Sequence, residues 1–246
     1  MADFTGKTLI LTGASMGMGK ALARLLAREQ GVNLILNARH VKPLEEVAAA
    51  YRQAGVRARA VAGNAAREPV ASQLVAEAME LGNFYGFIHA AGVLRPGPLL
   101  WELSAAHFKE VLDSHLTAAH QLIRQAVPEL LKTGEGLAVF FGSGAAVSTL
   151  PGIGAYSVAK AAEEHLARLL SEEAPQITSF VFRPGIVETR MQRQARRARG
   201  GAAEIVQRHF EDYKKEGVVI PPEKAARRLA EILTHNPRQY QGKIAQ

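Results

Sequence analysis

Tyr156 and Lys160 lie one helical turn apart, and Ser143 precedes the tyrosine by thirteen residues. An i, i+4 spacing puts a phenol and an ammonium group on the same helix face. A phenol beside an ammonium can give up or take a proton near neutral pH, which is what general acid–base work requires. A bare Tyr-x-x-x-Lys match also describes an ordinary amphipathic helix with one aromatic anchor, so the pair takes its meaning from the elements that position it.

Those elements alternate. Short aliphatic or β-branched runs at 8–12, 33–37, 57–61, 84–89, 137–141 and 177–182 read as strands, with a short last strand at 242–245. Between them lie helical stretches at 20–29 (Leu22, Leu25 and Leu26 on one face), 44–54 and 70–79. A longer helix runs from about Ala105 toward Pro128, another from Tyr156 to about Glu172, and a last one covers 222–233. Strict β-then-α order predicts a parallel sheet with helices on both faces and right-handed crossovers. The expected architecture is α/β, a single doubly wound Rossmann-type domain over 1–246 with seven strands. Residues 188–217 break the rhythm between the sixth strand and the last helix. Loops at the carboxyl ends of such strands are where ligands sit, so this excursion is a candidate lid.

The first strand runs into Thr12-Gly13-Ala14-Ser15-Met16-Gly17-Met18-Gly19 and then a helix. Glycines here permit a tight turn and close approach of backbone to phosphate, and the new helix offers unpaired N–H groups to an anion. Gly13, Ser15, Gly17, Met18 and Gly19 are therefore candidate dinucleotide contacts. A carboxylate at the end of the second strand would bind the 2′-OH of NAD. This chain has Ala38 and Arg39 there. A guanidinium suits a 2′-phosphate, with the Ser15 hydroxyl as a further donor, so NADP(H) is expected over NAD(H).

The Gly-x-x-x-Gly-x-Gly spacing, Ser143, Tyr156 with Lys160, and Pro184-Gly185-Ile186-Val187-Glu188-Thr189 together resemble the short-chain dehydrogenase/reductase family over the whole chain. That resemblance implies that Ser143 polarises a substrate carbonyl and that Tyr156 delivers or removes the proton. It implies that Lys160 binds the nicotinamide ribose and assists the phenol. Thr189 and the backbone of Ile186–Val187 would hold the carboxamide, with Pro184, Gly185, Ala91 and Gly92 lining the same cofactor. The stretch Val187-Glu188-Thr189-Arg190-Met191-Gln192 is similar to benzil- and sepiapterin-reductase-like carbonyl reductases. The activity so implied is NADPH-dependent reduction of a ketone, diketone or aldehyde in the cytoplasm by a homodimer or homotetramer. A 3-oxoacyl thioester reductase fits the same scaffold, and an NADP(H)-binding regulatory or scaffold protein with little turnover is the alternative of another class.

Three positions depart from the family pattern. His89-Ala90-Ala91-Gly92 stands where Asn-Asn-Ala-Gly is usual, and Gly63-Asn64 replaces the usual Asp-hydrophobic pair, leaving Asn64 for the adenine. His115, in Leu112-Asp113-Ser114-His115-Leu116, occupies the place of an asparagine that holds a helix kink in the proton relay to the lysine. It is read either as a packed helix residue or, because imidazole titrates near neutrality, as a member of the relay.

Composition excludes several other chemistries. The chain has 246 residues, 48% hydrophobic, enough for one large core. It has no cysteine, hence no disulfide, thiolate nucleophile or Cys-based metal site. His107, His120 and His165 lack metal-ligand spacing. No apolar run approaches a membrane span and the first residues do not spell a secretory signal, so no membrane partner is expected. The net charge of +7 is concentrated in Arg190, Arg193, Arg196, Arg197 and Arg199, leaving +2 over the rest. A cluster so local argues against nucleic acid as a partner. It is either a solvated helix face or a contact for an anion within the lid. Trp101 is read either as a wall of the substrate cleft or as an anchor for its loop.

Overall fold

Four strands, β1 (Thr8–Thr12), β2 (Asn33–Ala38), β5 (Gly136–Phe141) and β6 (Ile177–Phe182), are buried at every residue. Strands covered on both faces read as continuous apolar runs, not as alternation. β3 (Ala58–Ala62), β4 (Phe84–His89) and β7 (Ile244–Ala245) complete one seven-stranded sheet in the computed structural model, which describes residues 4–246. The order is β3-β2-β1-β4-β5-β6-β7 and every pairing is parallel. At edge strand β3, Arg59 is tied to Glu77 and Glu80, and charge of this kind discourages pairing with another chain.

Successive residues of each strand feed opposite cores. Leu9 and Leu11 of β1 and Leu34 and Leu36 of β2 pack under α1 (Gly17–Glu29), α2 (Val41–Gln53) and α9 (Pro222–His235). Ile10, Ile35, Phe87 and Phe140 pack under α3 (Glu68–Leu81), α5 (Ala118–Thr133) and α6 (Gly154–Glu173). The strand order reverses between β1 and β4, so their carboxyl ends diverge into a crevice, the place where open parallel sheets bind ligands.

The helix predicted from Ala105 toward Pro128 is built differently. It comprises α4 (Ala105–Leu112), one π-helical turn (Asp113–Thr117) and α5, which continues past Pro128 to Thr133. Proline costs one intrahelical hydrogen bond, and tertiary packing of Ala126 and Leu130 on the sheet outweighs it here. A π turn adds a residue and redirects side chains, and such turns concentrate at functional sites. His115 lies at its centre. The excursion at 188–217 holds α7 (Arg190–Ala195) and α8 (Ala203–Lys215). Among the described residues no helix is long and apolar enough to cross a membrane.

Candidate functional site

The turn after β1 brings Gly13 against β4. A Cβ on Gly13 would lie 2.8 Å from Ala91 N and 2.9 Å from the Ala90 carbonyl, and its φ of +70° is one that side chains disfavour. This contact lets the two diverging strands start one crevice. α1 then begins without a side-chain cap, so its first N–H groups face the crevice unpaired, as an anion site requires. The cavity there has a volume of about 1290 Å³. Gly13, Ser15, Gly17, Met18 and Gly19 line it together with Arg39, Asn64, Ala91 and Gly92, as do Ser143, Tyr156, Lys160, His115, Pro184, Gly185, Val187 and Thr189. The candidate catalytic and cofactor residues are thus brought to one cavity by the ends of β1 to β6 together with α6 and the π turn.

Several of them already have partners. The Asn64 side-chain oxygen accepts from Ala66 N at 3.0 Å and closes its own turn. Arg39 donates to Glu110 of α4 at 3.1 Å, and Arg95 chelates the same carboxylate. The two guanidinium groups outweigh the effect of burial and hold the Glu110 carboxyl below the usual range. Thr189 caps α7 through its side chain. Ile220 N donates to Ile186 O and Glu188 N donates to Ile220 O, which turns the peptide N–H and C=O of Val187 to the opposite side.

Ser143 caps a short 3-10 turn (Gly144–Ala146), its hydroxyl oxygen accepting from Ala145 N at 3.1 Å. Its own N–H donates to Glu164 at 3.1 Å, and Glu164 is gripped bidentately by Arg183 at 2.9 and 2.7 Å. The serine is therefore fixed from behind by a largely buried ion pair. Tyr156 stands edge-on to the His115 ring, with centroids 5.2 Å apart. Lys160 is only 4% exposed; its ammonium donates to Phe141 O at 2.5 Å and to Glu163 at 2.8 Å.

Glu163 was not foreseen. It is fully buried, and two imidazoles face it: His115 Nδ1 at 3.4 Å and His89 Nε2 at 4.0 Å. The hydrogen bonds around His89 assign its tautomer. Thr12 Oγ1 accepts from Ala90 N and Ala91 N, so its hydroxyl proton goes to His89 Nδ1 at 2.9 Å and the ring proton sits on Nε2. His115 Nε2 lies 3.2 Å from Val93 N and 3.1 Å from Val93 O, so the Val93 backbone fixes the place of the ring without selecting its tautomer. The His89 Nε2–H therefore faces the carboxylate at 4.0 Å, too far for a hydrogen bond, and the His115 ring lies closer on the other side. Burial opposes ionisation of Glu163, yet Lys160 and the two histidines outweigh it and hold the carboxyl below its ordinary value. Burial pushes His89 down to about 4 against the pull of Glu163, and burial with the Lys160 charge lowers His115. The cluster is therefore one anion, one cation and two neutral rings. Its sequence signal was available: Tyr156, Lys160, Glu163, Ala167 and Leu170 follow a helical stripe whose last members are core residues.

Other expectations fare differently. Trp101 is 82% exposed, so it neither anchors its loop nor walls the cavity. Its loop is held instead by backbone, Gly97 N donating to Gly152 O and Ala202 N to Gly97 O. His107, His120 and His165 are exposed, and no metal-ligand cluster occurs among the described residues. In the arginine run, Arg196 pairs with Glu188 at 2.8 Å and Arg193 reaches the same carboxylate, so part of the positive charge is neutralised locally. Sequence reasoning also missed His209, Phe210 and Tyr213 of α8, which overhang the cavity as one aromatic group. Their i, i+1, i+4 spacing was the available sign.

Residues 7–200 match the family model described as short chain dehydrogenase. An uncharacterized oxidoreductase of Schizosaccharomyces pombe is 29% identical over 97% of this chain and 95% of its own length. Oxidoreductase UcpA of Salmonella typhimurium is 32% identical over 95% of this chain and 86% of its own. Among solved structures, a short chain dehydrogenase/reductase of Saccharomyces cerevisiae superposes with a TM-score of 0.86 at 28% identity, covering 97% of this chain and 94% of that one.

Proposed function

Because the chain belongs to the short-chain dehydrogenase/reductase family and is an NAD(P)-dependent oxidoreductase, we propose that it reduces a ketone, diketone or aldehyde to the alcohol with NADPH. The observation that carries this reading is that Ser143, Tyr156 and Lys160 line the same cavity as the open α1 N-terminus and Arg39. The residues fit a dinucleotide: the glycine turn admits a pyrophosphate against the N–H groups of α1, and Val187 presents peptide groups suited to a carboxamide. Arg39 and Ser15 favour the 2′-phosphate form. Bound there, the reduced nicotinamide supplies a hydride to the carbonyl carbon.

The chain's own part is positional and acid–base. Ser143 Oγ donates to the carbonyl oxygen and Tyr156 gives that oxygen its proton, so that one hydride and one proton convert C=O to CH–OH. Lys160 orients the ribose and faces the phenol, its Nζ lying 5.9 Å from the ring centroid. Residues 188–217, with His209, Phe210 and Tyr213, act as the lid of a single domain and exclude water from the reacting carbonyl. Exposed Leu131, Val158 and Leu169 on α5 and α6 suit a homodimer or homotetramer joined by those helices, and a chain without cysteine suits the cytoplasm.

Spectrophotometric NADPH oxidation over a panel of diketones, aldehydes and acyl thioester analogues tests the reading, with Tyr156→Phe as control. Turnover lost by at least two orders of magnitude in the variant is expected; turnover that survives it sinks the assignment. One observation favours a second reading, an NADP(H)-binding regulatory protein: Lys160 already commits two of its N–H groups to Phe141 and Glu163. Tight NADPH binding without turnover on the whole panel would select it.

A further inference from the structure

An ammonium group has three N–H donors, and Lys160 directs one to a backbone carbonyl and one to Glu163. A fully buried carboxylate is costly unless it is paired, and Glu163 is surrounded by Lys160, His115 and His89. Each partner arrives from a different element: Lys160 from α6, His115 from the π turn, and His89 from the end of β4. His89 is held by Thr12 of β1 and His115 by Val93. Gly92 completes the enclosure, since a Cβ there would lie 2.3 Å from His115 Cε1. The imidazole thus fills the space that the missing side chain leaves.

We propose that Glu163 is a positioning residue that, with His89 and His115, anchors Lys160 as a fixed ammonium and leaves its third N–H for the nicotinamide ribose. This inference rests on the reading of Lys160 given above. In this arrangement His115 and His89 act on the lysine only through Glu163. The charged or titratable groups facing Glu163 are Lys160 on its own helix, His115 on the π turn and His89 on β4, with Tyr156 beyond the His115 ring. Neighbouring Glu164 is turned to Arg183 and Ser143 N, so the two adjacent glutamates hold the lysine and the serine separately.

Glu163→Gln keeps the shape and removes the charge. An ammonium left without a counter-charge in a dry site favours its neutral form. In the variant, kcat is expected to fall on the order of tenfold or more, with the NADPH KM changed less. The rate should also decline more steeply toward alkaline pH than in the parent. Calorimetric NADPH binding, read without turnover, should weaken between about pH 6 and about pH 9 in the variant and stay level in the parent. A variant that is less heat-stable yet has the parent's kcat, binding and pH profile overturns the inference, because the cluster is then merely structural. If Glu163→Gln does not accumulate folded, Glu163→Asp carries the test: a lowered kcat with the parent's pH profile supports anchoring, and an unchanged kcat refutes it. Tyr156→Phe, run in parallel, separates the two levels. Turnover retained there overturns both readings; turnover abolished there with Glu163→Gln unaffected overturns this one alone.

Discussion

Arg39, proposed above to favour the 2′-phosphate, is also a side chain under restraint. It leaves the end of β2 with a guanidinium at the mouth of the cavity, and Glu110 of α4 already holds it. A half-exposed pair of this kind is worth no more than about 1 kcal/mol, so a 2′-phosphate, carrying more charge and more acceptor oxygens, would displace the carboxylate. Arg39→Asp is expected to shift the ratio of kcat/KM for NADPH over NADH by roughly tenfold or more toward NADH, about 1.4 kcal/mol. An unchanged ratio would refute the role of Arg39. The residue scale also shows what spacing conceals. Tyr156 and Lys160 were legible as a pair, but the carboxylate that holds Lys160 lies one turn further on among alanines and a second glutamate. The helical stripe through Lys160, Ala167 and Leu170 marks Glu163 as facing inward, but the groups that make its burial tolerable include His89 and His115, far away in the chain.

Among the elements, the π turn at Asp113–Thr117 is the decisive one. Its register places His115 inward, 1% exposed, while α4 before it and α5 after it keep ordinary helical packing. Periodicity over 105–128 predicts one continuous helix because every apolar position suits one, and the extra residue of a π turn changes phase without changing composition. Gly92 and the turn are matched in volume. Gly92→Ala therefore forces the imidazole out and is expected to cost about 1–3 kcal/mol, read as a lowered Tm. Pairing it with His115→Asn, a smaller side chain, should recover part of that loss. Strictly additive effects of the two substitutions would show that they do not meet. Elements whose apolar stripe settles their packing were read correctly to within a few residues, as β1, β4, β6 and α9 show.

At the scale of the whole molecule, the buried histidines tie stability to pH. His89 is held neutral in the fold, at about 4 against an unfolded value of 6.5, so the unfolded chain binds more protons between those limits. Stability therefore rises with pH across that window and is lost as pH falls from about 6.5 toward 4, on the order of 3 kcal/mol for this group. His115, lowered by burial, acts in the same direction. Glu163 is held below its ordinary value, so its contribution is present above the unfolded carboxylate pKa and is lost as pH falls through the folded one. Urea midpoints measured from about pH 7.5 to about pH 5 should fall steeply for the parent and less so for His89→Asn. Equal slopes would contradict the burial of a neutral imidazole.

The order of strands and helices, the glycine turn after β1 and the Ser143–Tyr156–Lys160 set were determined by the sequence alone, because each is written in residues close together in the chain. Local spacing decides which face a side chain takes, and alternating elements leave a parallel sheet few ways to form. Only the tertiary structure decided the rest. It brought His89, His115 and Glu163 from three elements into one dry pocket, set Glu110 against Arg39, and left Trp101 in solvent. Such pairings depend on where distant elements meet, and burial then gives charge and imidazole an energetic weight that they lack in water.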